Sequence, residues 1–336
     1  MTRRSDFVLV ALAGVLWGTG GLAGAELGDA ARLSSGAVAD YRLLGGGGAL
    51  LVALAALGRL RGLPRSRPAV TRVVATAVLI AAFEAAYFEA VERAGVAVAT
   101  LVTLGTAPLL VAGVTAVRAR SWPSRTTTSA LVLALSGLGA LVLGQDPSHA
   151  VDPWGITLAL VAAAAFAGIT GVNAQPVPGL DGLAVTALAF TLGGLLLVPY
   201  ALASPGGLQL PTDGAGWAWL VYLAVVPTAA AYSAYFTGLR TVPATSATLL
   251  SLLEPVTAAV LAVALRDEHL GLFGVLGAIL LVSAVVVLRP RASASPRMVA
   301  LGDAAGLPRH PAPSEPGTST PGVMRVSDSR EGPAAR

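Results

Sequence analysis

Two stretches of the chain decide its fold: residues 86–108, AYFEAVERAGVAVATLVTLGTAP, and residues 234–255, AYFTGLRTVPATSATLLSLLEP. Both begin with Ala-Tyr-Phe, and a second tripeptide, Ala-Thr-Leu, follows at the same offset at residues 99–101 and 247–249. Each stretch ends with a proline, one residue out of register with the other. Identities that keep one register across two apolar segments indicate an internal duplication rather than a shared composition.

Between residues 6 and 288 the chain consists of about ten apolar stretches of membrane-spanning length, separated at charges, Pro and Gly. The predicted spans are 6–24, 35–57, 70–91, 95–117, 127–143, 153–172, 181–203, 216–238, 243–264 and 271–288. With 55% hydrophobic and 12% charged residues, the 336-residue chain has more apolar surface than a soluble fold could bury. We therefore predict an all-α polytopic membrane protein with ten transmembrane helices in the lipid bilayer.

The arginines, which make up all 22 basic residues, predict the orientation of these spans. With a cytoplasmic amino terminus, only Arg32, Arg93 and Arg266 fall in outer loops, whereas thirteen arginines fall on the inner side. The thirteen are Arg3, Arg4, Arg59, Arg61, Arg65, Arg67, Arg118, Arg120, Arg125, Arg240, Arg289, Arg291 and Arg297. Such an asymmetry fixes topology, so both termini are predicted to be cytoplasmic. Because each half has five spans, the second half is then inverted relative to the first, as in many secondary transporters.

The duplication and the span count predict three regions: residues 1–143 and 153–289, each a repeat of five transmembrane helices, and a tail at 290–336. The tail is rich in Pro, Ser, Gly and Ala, so we expect a disordered cytoplasmic segment. Its serines could serve regulation, or the tail could be a dispensable extension. The absence of lysine and the abundance of Ala and Gly are typical of a GC-rich bacterial genome, and so favour a bacterial inner membrane.

The composition argues against several classes of function. There is no cysteine, and His149, His269 and His310 do not cluster, so we expect no disulfide, no metal site and no cofactor. The chain has no H-E-x-x-H, no G-x-S-x-G and no P-loop lysine, so nothing in it predicts an enzyme. Its net charge of +4 is carried by arginines that follow the membrane topology and does not predict nucleic-acid binding.

Few ionisable side chains fall inside the predicted spans, and they mark the candidate site. A charge at the bilayer centre costs about 2.5–3.5 kcal/mol, so such a group usually faces a polar cavity or a partner. Arg42 could orient an anionic group of a solute, or it could pair internally with Asp40, Glu26 or Glu84. Glu84 could carry the proton that couples transport to a gradient, or it could serve only to neutralise Arg42.

Glu254 directly precedes Pro255 near the middle of the ninth predicted span. The proline removes a helix hydrogen bond and leaves a carbonyl free, which is typical of a break that lines a binding cavity or forms a gate. The Glu254 carboxylate could therefore face a solute, or it could brace the kink.

Aromatic side chains on the same spans as these charges could form the walls of a cavity for an organic solute. They are Trp17, Tyr87, Tyr232, Tyr235 and Phe236. Trp154, Trp217 and Trp219, near the ends of spans, are expected to be interfacial anchors. Glu89 and Glu92 are expected at the outer rim.

The residues that carry a resemblance to a known family are Trp17-Gly18, Arg42, Ala86-Tyr87-Phe88 through Pro108, and Ala244 to Leu288 with Glu254-Pro255 and Asp267-Glu268. With these residues the chain resembles two EamA domains of the drug/metabolite transporter superfamily, over about residues 6–289. The second-half signature is the more specific of the two, and it does not identify the solute.

The resemblance implies a ten-helix secondary transporter, commonly an exporter of amino acids or related metabolites from bacterial cytoplasm, with a central cavity between the halves. The positions that match recurrent family positions are Trp17, Arg42, Tyr87, Pro108, Tyr235, Glu254 and Pro255. The resemblance implies that the central ones line or gate the cavity. Two departures make the halves unequal: Arg118-Ala119-Arg120-Ser121 stands where the family often has a Glu like Glu268, and Ala107-Pro108 lacks an acidic partner.

We therefore predict a permease that exports a small-molecule solute by alternating access, with exchange for protons as its coupling. In this hypothesis Trp17, Arg42, Tyr87 and Tyr235 bind the solute, and Glu84, Pro108, Glu254 and Pro255 serve proton coupling or gating. Three rivals remain open: efflux of lipophilic cationic drugs, a non-transporting membrane adaptor that acts through the tail, and an intramembrane enzyme.

Overall fold

The computed structural model describes residues 3–31, 33–143, 152–266, 269 and 271–289. In this part of the chain all regular secondary structure is helical. The predicted tail at 290–336, the histidines His149 and His310, and the pair Asp267-Glu268 lie outside the described residues.

The helices follow one another with short connections. They are α1 (Arg3–Ala31), α2 (Ser35–Ala56), α3 (Arg67–Ala119), α4 (Arg125–Leu143), α5 (Pro153–Asn173), α6 (Gly182–Ala203), α7 (Gly214–Leu223), α8 (Ala231–Gly238), α9 (Ala244–Leu250), α10 (Leu253–Arg266) and α11 (Leu272–Leu288). A short 3₁₀-helix (Arg59–Gly62) follows α2, and a π-helix (Ala224–Ala230) joins α7 to α8. Eight helical segments of the described chain are long and apolar enough to cross a membrane, and the shorter α11 is also apolar. The protein is therefore a multi-pass helical membrane protein, as the sequence predicts.

Helix α3 contains one residue with a non-helical backbone, Gly95, in its 53-residue length. Gly95 has φ 80° and ψ 157°, a conformation that glycine adopts readily because it lacks a Cβ. The apolar segments before and after Gly95 correspond to the predicted spans 70–91 and 95–117. The chain therefore turns within this nominal helix, between the charged residues Glu89 to Arg93 and the second apolar segment.

The π-helix between α7 and α8 has a local cause in Pro227. A proline has no backbone N–H, so the carbonyl four residues earlier, Leu223 O, loses its usual helical donor. Thr228 Oγ1 donates a hydrogen bond to that carbonyl over 2.8 Å instead. Single turns of π-helix of this kind are often found at functional sites.

Helices α4 and α11 pack through a reciprocal contact between two glycines. A Cβ added to Gly137 would lie 2.8 Å from Gly277 O, and one added to Gly277 would lie 2.6 Å from Gly137 O. The next turns repeat the pattern, because Gly137 also faces Leu281 N and Gly277 faces Leu141 N. Small residues allow this approach in a membrane, where packing rather than the hydrophobic effect holds helices together.

The two ends of the helical bundle can be told apart by their polar contacts. At one end, which we call the Arg59 end, Arg59 Nη2 lies 2.7 Å from Asp181 Oδ2, and Thr241 Oγ1 donates to Asp6 Oδ2 over 2.7 Å. At the opposite end, the Gly95 end, Arg93 pairs with Glu89 at 2.7 Å. Glycines of α2 bring this helix close to its neighbours between the two ends, since Gly46 faces the carbonyl oxygen of Ala224 in the π-helix and Gly47 faces α6.

Candidate functional site

A cavity of about 670 Å³ lies among α1, α2, α3, α5, α8 and α10. Its polar lining is formed by Ser35, Arg42, Tyr87, Tyr232 and Glu254, and its other aromatic lining by Trp17, Phe83, Phe88 and Phe166. The cavity reaches Ser35 and Val96, so it extends toward the Gly95 end. Its size suits a small organic molecule. We call it the central cavity.

Arg42 forms a buried ion pair at the wall of the central cavity. Its Nη1 lies 3.6 Å from Glu84 Oε2, and the Glu84 side chain is fully buried. Arg42 Nε donates a second contact, a hydrogen bond of 3.2 Å to Thr228 Oγ1 in the π-helix. Of the three partners considered from sequence, Glu84 is therefore the one that forms the ion pair with Arg42. Neither oxygen of Glu84 has a hydrogen-bond partner, so the pair leaves unused hydrogen-bonding capacity beside the cavity.

Glu254 is the carboxylate among the residues that line the central cavity. Helix α9 ends at Leu250 and α10 begins at Leu253, so Glu254 lies in the first turn of a new helix. Pro255 has no N–H to continue the preceding helix, while Glu254 N bonds to Ser251 O over 2.9 Å. No ion pair with Glu254 occurs among the described residues. With both carboxylates ionised, Arg42, Glu84 and Glu254 together carry a net negative charge.

Aromatic rings form a continuous layer along the side of the cavity nearer the Arg59 end. Trp17 has its ring centroid 4.8 Å from Tyr232 and 5.0 Å from Tyr235. Tyr232 also contacts Phe190 at 4.6 Å and Phe236 at 5.9 Å. The indole Nε1 of Trp17 is buried without a hydrogen-bond partner.

The residues singled out from sequence fall into two groups. Trp17, Arg42, Tyr87 and Glu254 line the central cavity. The other four are not among the lining residues. Tyr235 packs behind the wall, with its hydroxyl 2.8 Å from Thr170 Oγ1, and Glu84 lies behind Arg42. Pro108 lies within α3, and Pro255 lies within α10.

Sequence reasoning missed three residues that shape the site: Phe83, Phe166 and Thr228. Phe83 adjoins Glu84 in the sequence, which could have indicated its place. Thr228 follows Pro227, and a proline in the middle of a span was a usable signal. Phe166 stands in an alanine-rich span without a charge, so no sequence feature pointed to it.

The acidic residues expected at the rim lie at the Gly95 end. Arg93 bridges Glu89, at 2.7 Å, and Asp152, at 3.6 Å, and so links the turn in α3 to the start of α5. The Ser35 hydroxyl donates to Glu92 Oε1. These contacts surround the end of the bundle toward which the central cavity extends.

Fold and cavity together define a multi-pass membrane protein that can hold a small organic molecule between its helices. A family model described as "EamA-like transporter family" matches residues 5–143 and 153–289. The chain belongs to the EamA-like transporter family, which confirms the resemblance predicted from its sequence. Membership indicates a membrane transporter with a small-molecule solute in a lipid bilayer.

Related proteins carry compatible descriptions. The chain is 32% identical over 304 residues to "Uncharacterized transporter YwfM" of Bacillus subtilis (strain 168), covering 90% of this chain and 98% of the relative. It is 26% identical over 298 residues to "Uncharacterized inner membrane transporter YicL" of Salmonella typhimurium, covering 85% and 96%. A solved structure titled "Crystal structure of protein" has a TM-score of 0.71 at 19% identity and covers 85% of this chain and 96% of its own. The last match supports the fold alone.

Proposed function

We propose that this protein is a secondary active transporter that exports a small amphoteric solute, such as an amino acid or a related compound, by alternating access. The observation that carries the proposal is the central cavity, in which one guanidinium and an unpaired carboxylate face aromatic walls. Glu254 would bind the ammonium group of the solute, and Arg42 its carboxylate. Trp17, Phe83 and Tyr87 would surround its apolar part.

The hydrogen-bonding state of Arg42 supports a role in binding. Its contact with Glu84 is an ion pair of 3.6 Å without a hydrogen bond, so guanidinium N–H groups are available to a solute carboxylate. The net negative charge of the three ionised groups would disfavour a purely anionic solute. A lipophilic cation would use only Glu254 and the aromatic walls, and it is therefore the second candidate.

Alternating access requires that the cavity open to each side in turn. The central cavity extends to the Gly95 end, while the aromatic layer of Trp17, Tyr232, Tyr235 and Phe236 lies on the Arg59 side. With both termini in the cytoplasm, as the arginine distribution predicts, the state described is open outward. The aromatic layer is then the inner gate.

Two observations support ten crossings in two inverted repeats. The eight long apolar segments become ten when the parts of α3 before and after Gly95 are counted separately and the shorter helix α11 is added. The reciprocal contact of Gly137 with Gly277 is the pattern expected where a two-fold axis relates two helices. We accordingly propose that residues 1–143 and 153–289 are the repeats.

Proton exchange would supply the driving force. Glu84 and Glu254 are the carboxyl groups close to the solute site, and either can alternate between an ionised and a protonated form as the cavity changes access. A protonated Glu254 would lose the charge that binds the ammonium group of the solute. Proton and solute would then occupy the site in turn, as exchange requires.

The test is exchange by the purified full-length chain in proteoliposomes. We expect amino acids with apolar side chains to exchange faster than the matched amines without a carboxylate, and matched acids without an amine not to move. The double variant Arg42→Gln/Glu84→Gln should lose amino acids and keep amines. A panel in which no solute exceeds protein-free liposomes would overturn the proposal, and a preference for lipophilic cations would favour the second candidate.

A non-transporting adaptor makes a different prediction. A protein truncated after Pro290 should keep its flux if it is a transporter. An adaptor that acts through residues 291–336 would lose its activity instead.

A further inference from the structure

A second cavity, of about 480 Å³, lies at the Arg59 end. Its lining comes from five parts of the chain: the start of α3, the end of α5, the connection from α5 to α6, the start of α6, and the end of α8 with the residues that follow it. The polar members of the lining are Arg72, Asn173, Asp181 and Arg240. We call this the Arg72 cavity. Neither the family match nor the relatives assign a role to it.

The Arg72 cavity is separate from the central cavity. The two share no lining residue, and Phe236, which lines the Arg72 cavity, contacts Tyr232, which lines the central one. These two rings, with centroids 5.9 Å apart, are part of the aromatic layer described above. A molecule in one cavity therefore makes no contact with the groups of the other.

The one carboxylate in the lining, that of Asp181, forms an ion pair with an arginine that does not line the cavity. Asp181 Oδ2 lies 2.7 Å from Arg59 Nη2, and Asp181 Oδ1 accepts a hydrogen bond of 2.8 Å from Ala184 N at the start of α6. Arg59 does not line the cavity. Asp181 thus contributes no free negative charge, and both its oxygens are occupied.

The amide of Asn173 is also occupied on its donor side. Its Nδ2 donates to Thr76 Oγ1 over 3.0 Å and to Ile169 O over 2.9 Å, which uses both of its hydrogens. The remaining strong donors of the lining are the guanidinium groups of Arg72 and Arg240.

Neither of these arginines has an acidic partner within ion-pair distance among the described residues. Arg72 is partly buried at the first turns of α3, where water can solvate it only in part. Asp6 of α1 accepts a hydrogen bond from Thr241, next to Arg240 in the sequence, and it forms no ion pair with Arg240 itself. Both guanidinium groups line one cavity, Arg72 partly buried and Arg240 exposed, and they provide forked donors that fit a planar or tetrahedral oxyanion.

We propose that Arg72 and Arg240 form a binding site for a compact oxyanion, a phosphate or carboxylate group, at the Arg59 end of the bundle. The group could belong to a free metabolite or to the head group of an anionic phospholipid, since both present the same oxygens. The site does not depend on the proposed function, because it requires no movement of solute through the central cavity.

The probe for this site is inorganic phosphate, with the full-length protein in nanodiscs of neutral phosphatidylcholine. The thermal unfolding midpoint, followed by tryptophan fluorescence, is measured against sodium phosphate and against sodium chloride at equal ionic strength. We expect a saturable rise with phosphate that chloride does not produce. Arg72→Gln and Arg240→Gln should each weaken the apparent affinity about tenfold or more, because each removes a charge-assisted hydrogen bond.

The matched control is Arg61→Gln, which removes an exposed arginine near the same end of the bundle that does not line the cavity. It should respond to phosphate like the wild type. If the glutamine variants do not fold, Arg72→Lys and Arg240→Lys keep the charge but lose the fork, and they should bind phosphate more weakly than the wild type. An equal response to phosphate and chloride, or a phosphate response that Arg72 and Arg240 variants retain, would overturn the proposal.

Replacing part of the phosphatidylcholine by phosphatidylglycerol distinguishes the two sources. If the lipid head group occupies the site, phosphatidylglycerol raises the midpoint of the wild type, removes its response to phosphate, and has neither effect on the arginine variants. If a free solute occupies it, the phosphate response persists in phosphatidylglycerol. Both results support the site. Failure of the exchange assay would leave it standing, because phosphate binding is measured without flux.

Discussion

Arg42 Nε donates a hydrogen bond to Thr228 Oγ1 over 3.2 Å, and this contact joins the charged wall of the central cavity to the π-helix. The same hydroxyl donates to Leu223 O, the carbonyl that Pro227 leaves without its usual donor. The next helix, α8, carries Tyr232, Tyr235 and Phe236 of the aromatic layer. In the proposed mechanism, a solute that draws Arg42 away from Thr228 would therefore act on the π-helix that leads into α8, the helix of the proposed gate residues.

Thr228→Val removes this hydroxyl and keeps the shape of the side chain. The Leu223 carbonyl and the Arg42 guanidinium each lose a partner, and a lost buried hydrogen bond costs about 1–3 kcal/mol. We expect a lower unfolding midpoint and a higher KM for the exchanged solute. The matched control is Thr186→Val, because Thr186 is equally buried and bonds only to a carbonyl of its own helix. An unchanged KM in Thr228→Val would show that the hydrogen bond between Arg42 and Thr228 does not contribute to solute binding.

Glu254→Gln should abolish the preference for solutes that carry an ammonium group. The change keeps the size of the side chain and removes the unpaired charge from the central cavity. We expect KM for an amino acid or amine to rise about tenfold or more, since a charged hydrogen bond is worth about 1.5–3 kcal/mol. Glu89→Gln, which alters a carboxylate at the Gly95 end instead, should leave KM close to that of the wild type.

The Arg42–Glu84 pair should show strong coupling in a double-mutant cycle. Arg42→Gln alone leaves Glu84 fully buried without a counter-charge, and breaking a buried pair in this way costs about 3–5 kcal/mol. Adding Glu84→Gln removes the orphaned charge and should restore much of the stability. Unfolding midpoints of the four proteins measure the effect. Additive losses from the two single changes would show that the pair is not coupled.

The proton hypothesis predicts which carboxyl group controls the pH dependence of flux. If Glu84 binds the proton, Glu84→Gln removes the dependence of exchange on the imposed pH gradient, because glutamine cannot titrate. If Glu254 binds it, the corresponding change at Glu254 has that effect and Glu84→Gln keeps the gradient dependence. Both variants are compared in proteoliposomes with and without a gradient. If exchange by both variants still depends on the pH gradient, neither Glu84 nor Glu254 binds the coupling proton.

Packing of α4 against α11 should be intolerant of larger side chains. Gly137→Leu and Gly277→Leu place carbon atoms where the facing backbone already lies, and overpacking of this kind costs about 1–3 kcal/mol or more. We expect a lower yield of folded protein and a lower unfolding midpoint. Gly139→Leu is the matched control on α4, because no atom lies within 4 Å of a Cβ added there.

The overall class of fold could be predicted from the sequence because lipid imposes simple rules. Only long apolar helices can satisfy their own backbone in a bilayer, so apolar length and breaks at charges locate them well. The turn at Gly95 falls at the first residue of the predicted span 95–117 for this reason. The predicted break before Pro255 is likewise matched by the end of α9 at Leu250 and the start of α10.

The site could be predicted only in part, because the sequence does not say which face of a helix meets the cavity. Tyr232 and Tyr235 are both aromatic and three residues apart on α8, yet only Tyr232 lines the central cavity. Tyr235 instead finds Thr170, a partner on a helix 65 residues away in the sequence. Burying a charge requires a partner, so a pair such as Arg42 and Glu84 was among the possibilities, but its choice over Asp40 depends on how α2 and α3 pack.

The contact between Gly137 and Gly277 has a consequence for how the protein is made. Helices α4 and α11 close the two segments matched by the family model, so these segments hold each other through an interface that does not need the peptide link between them. Two half-genes, interrupted between codons 143 and 153 and expressed together, should then reassemble an active carrier. The covalent connection would then ensure that the two halves are made in equal amounts, and it would not be needed for the halves to recognise each other.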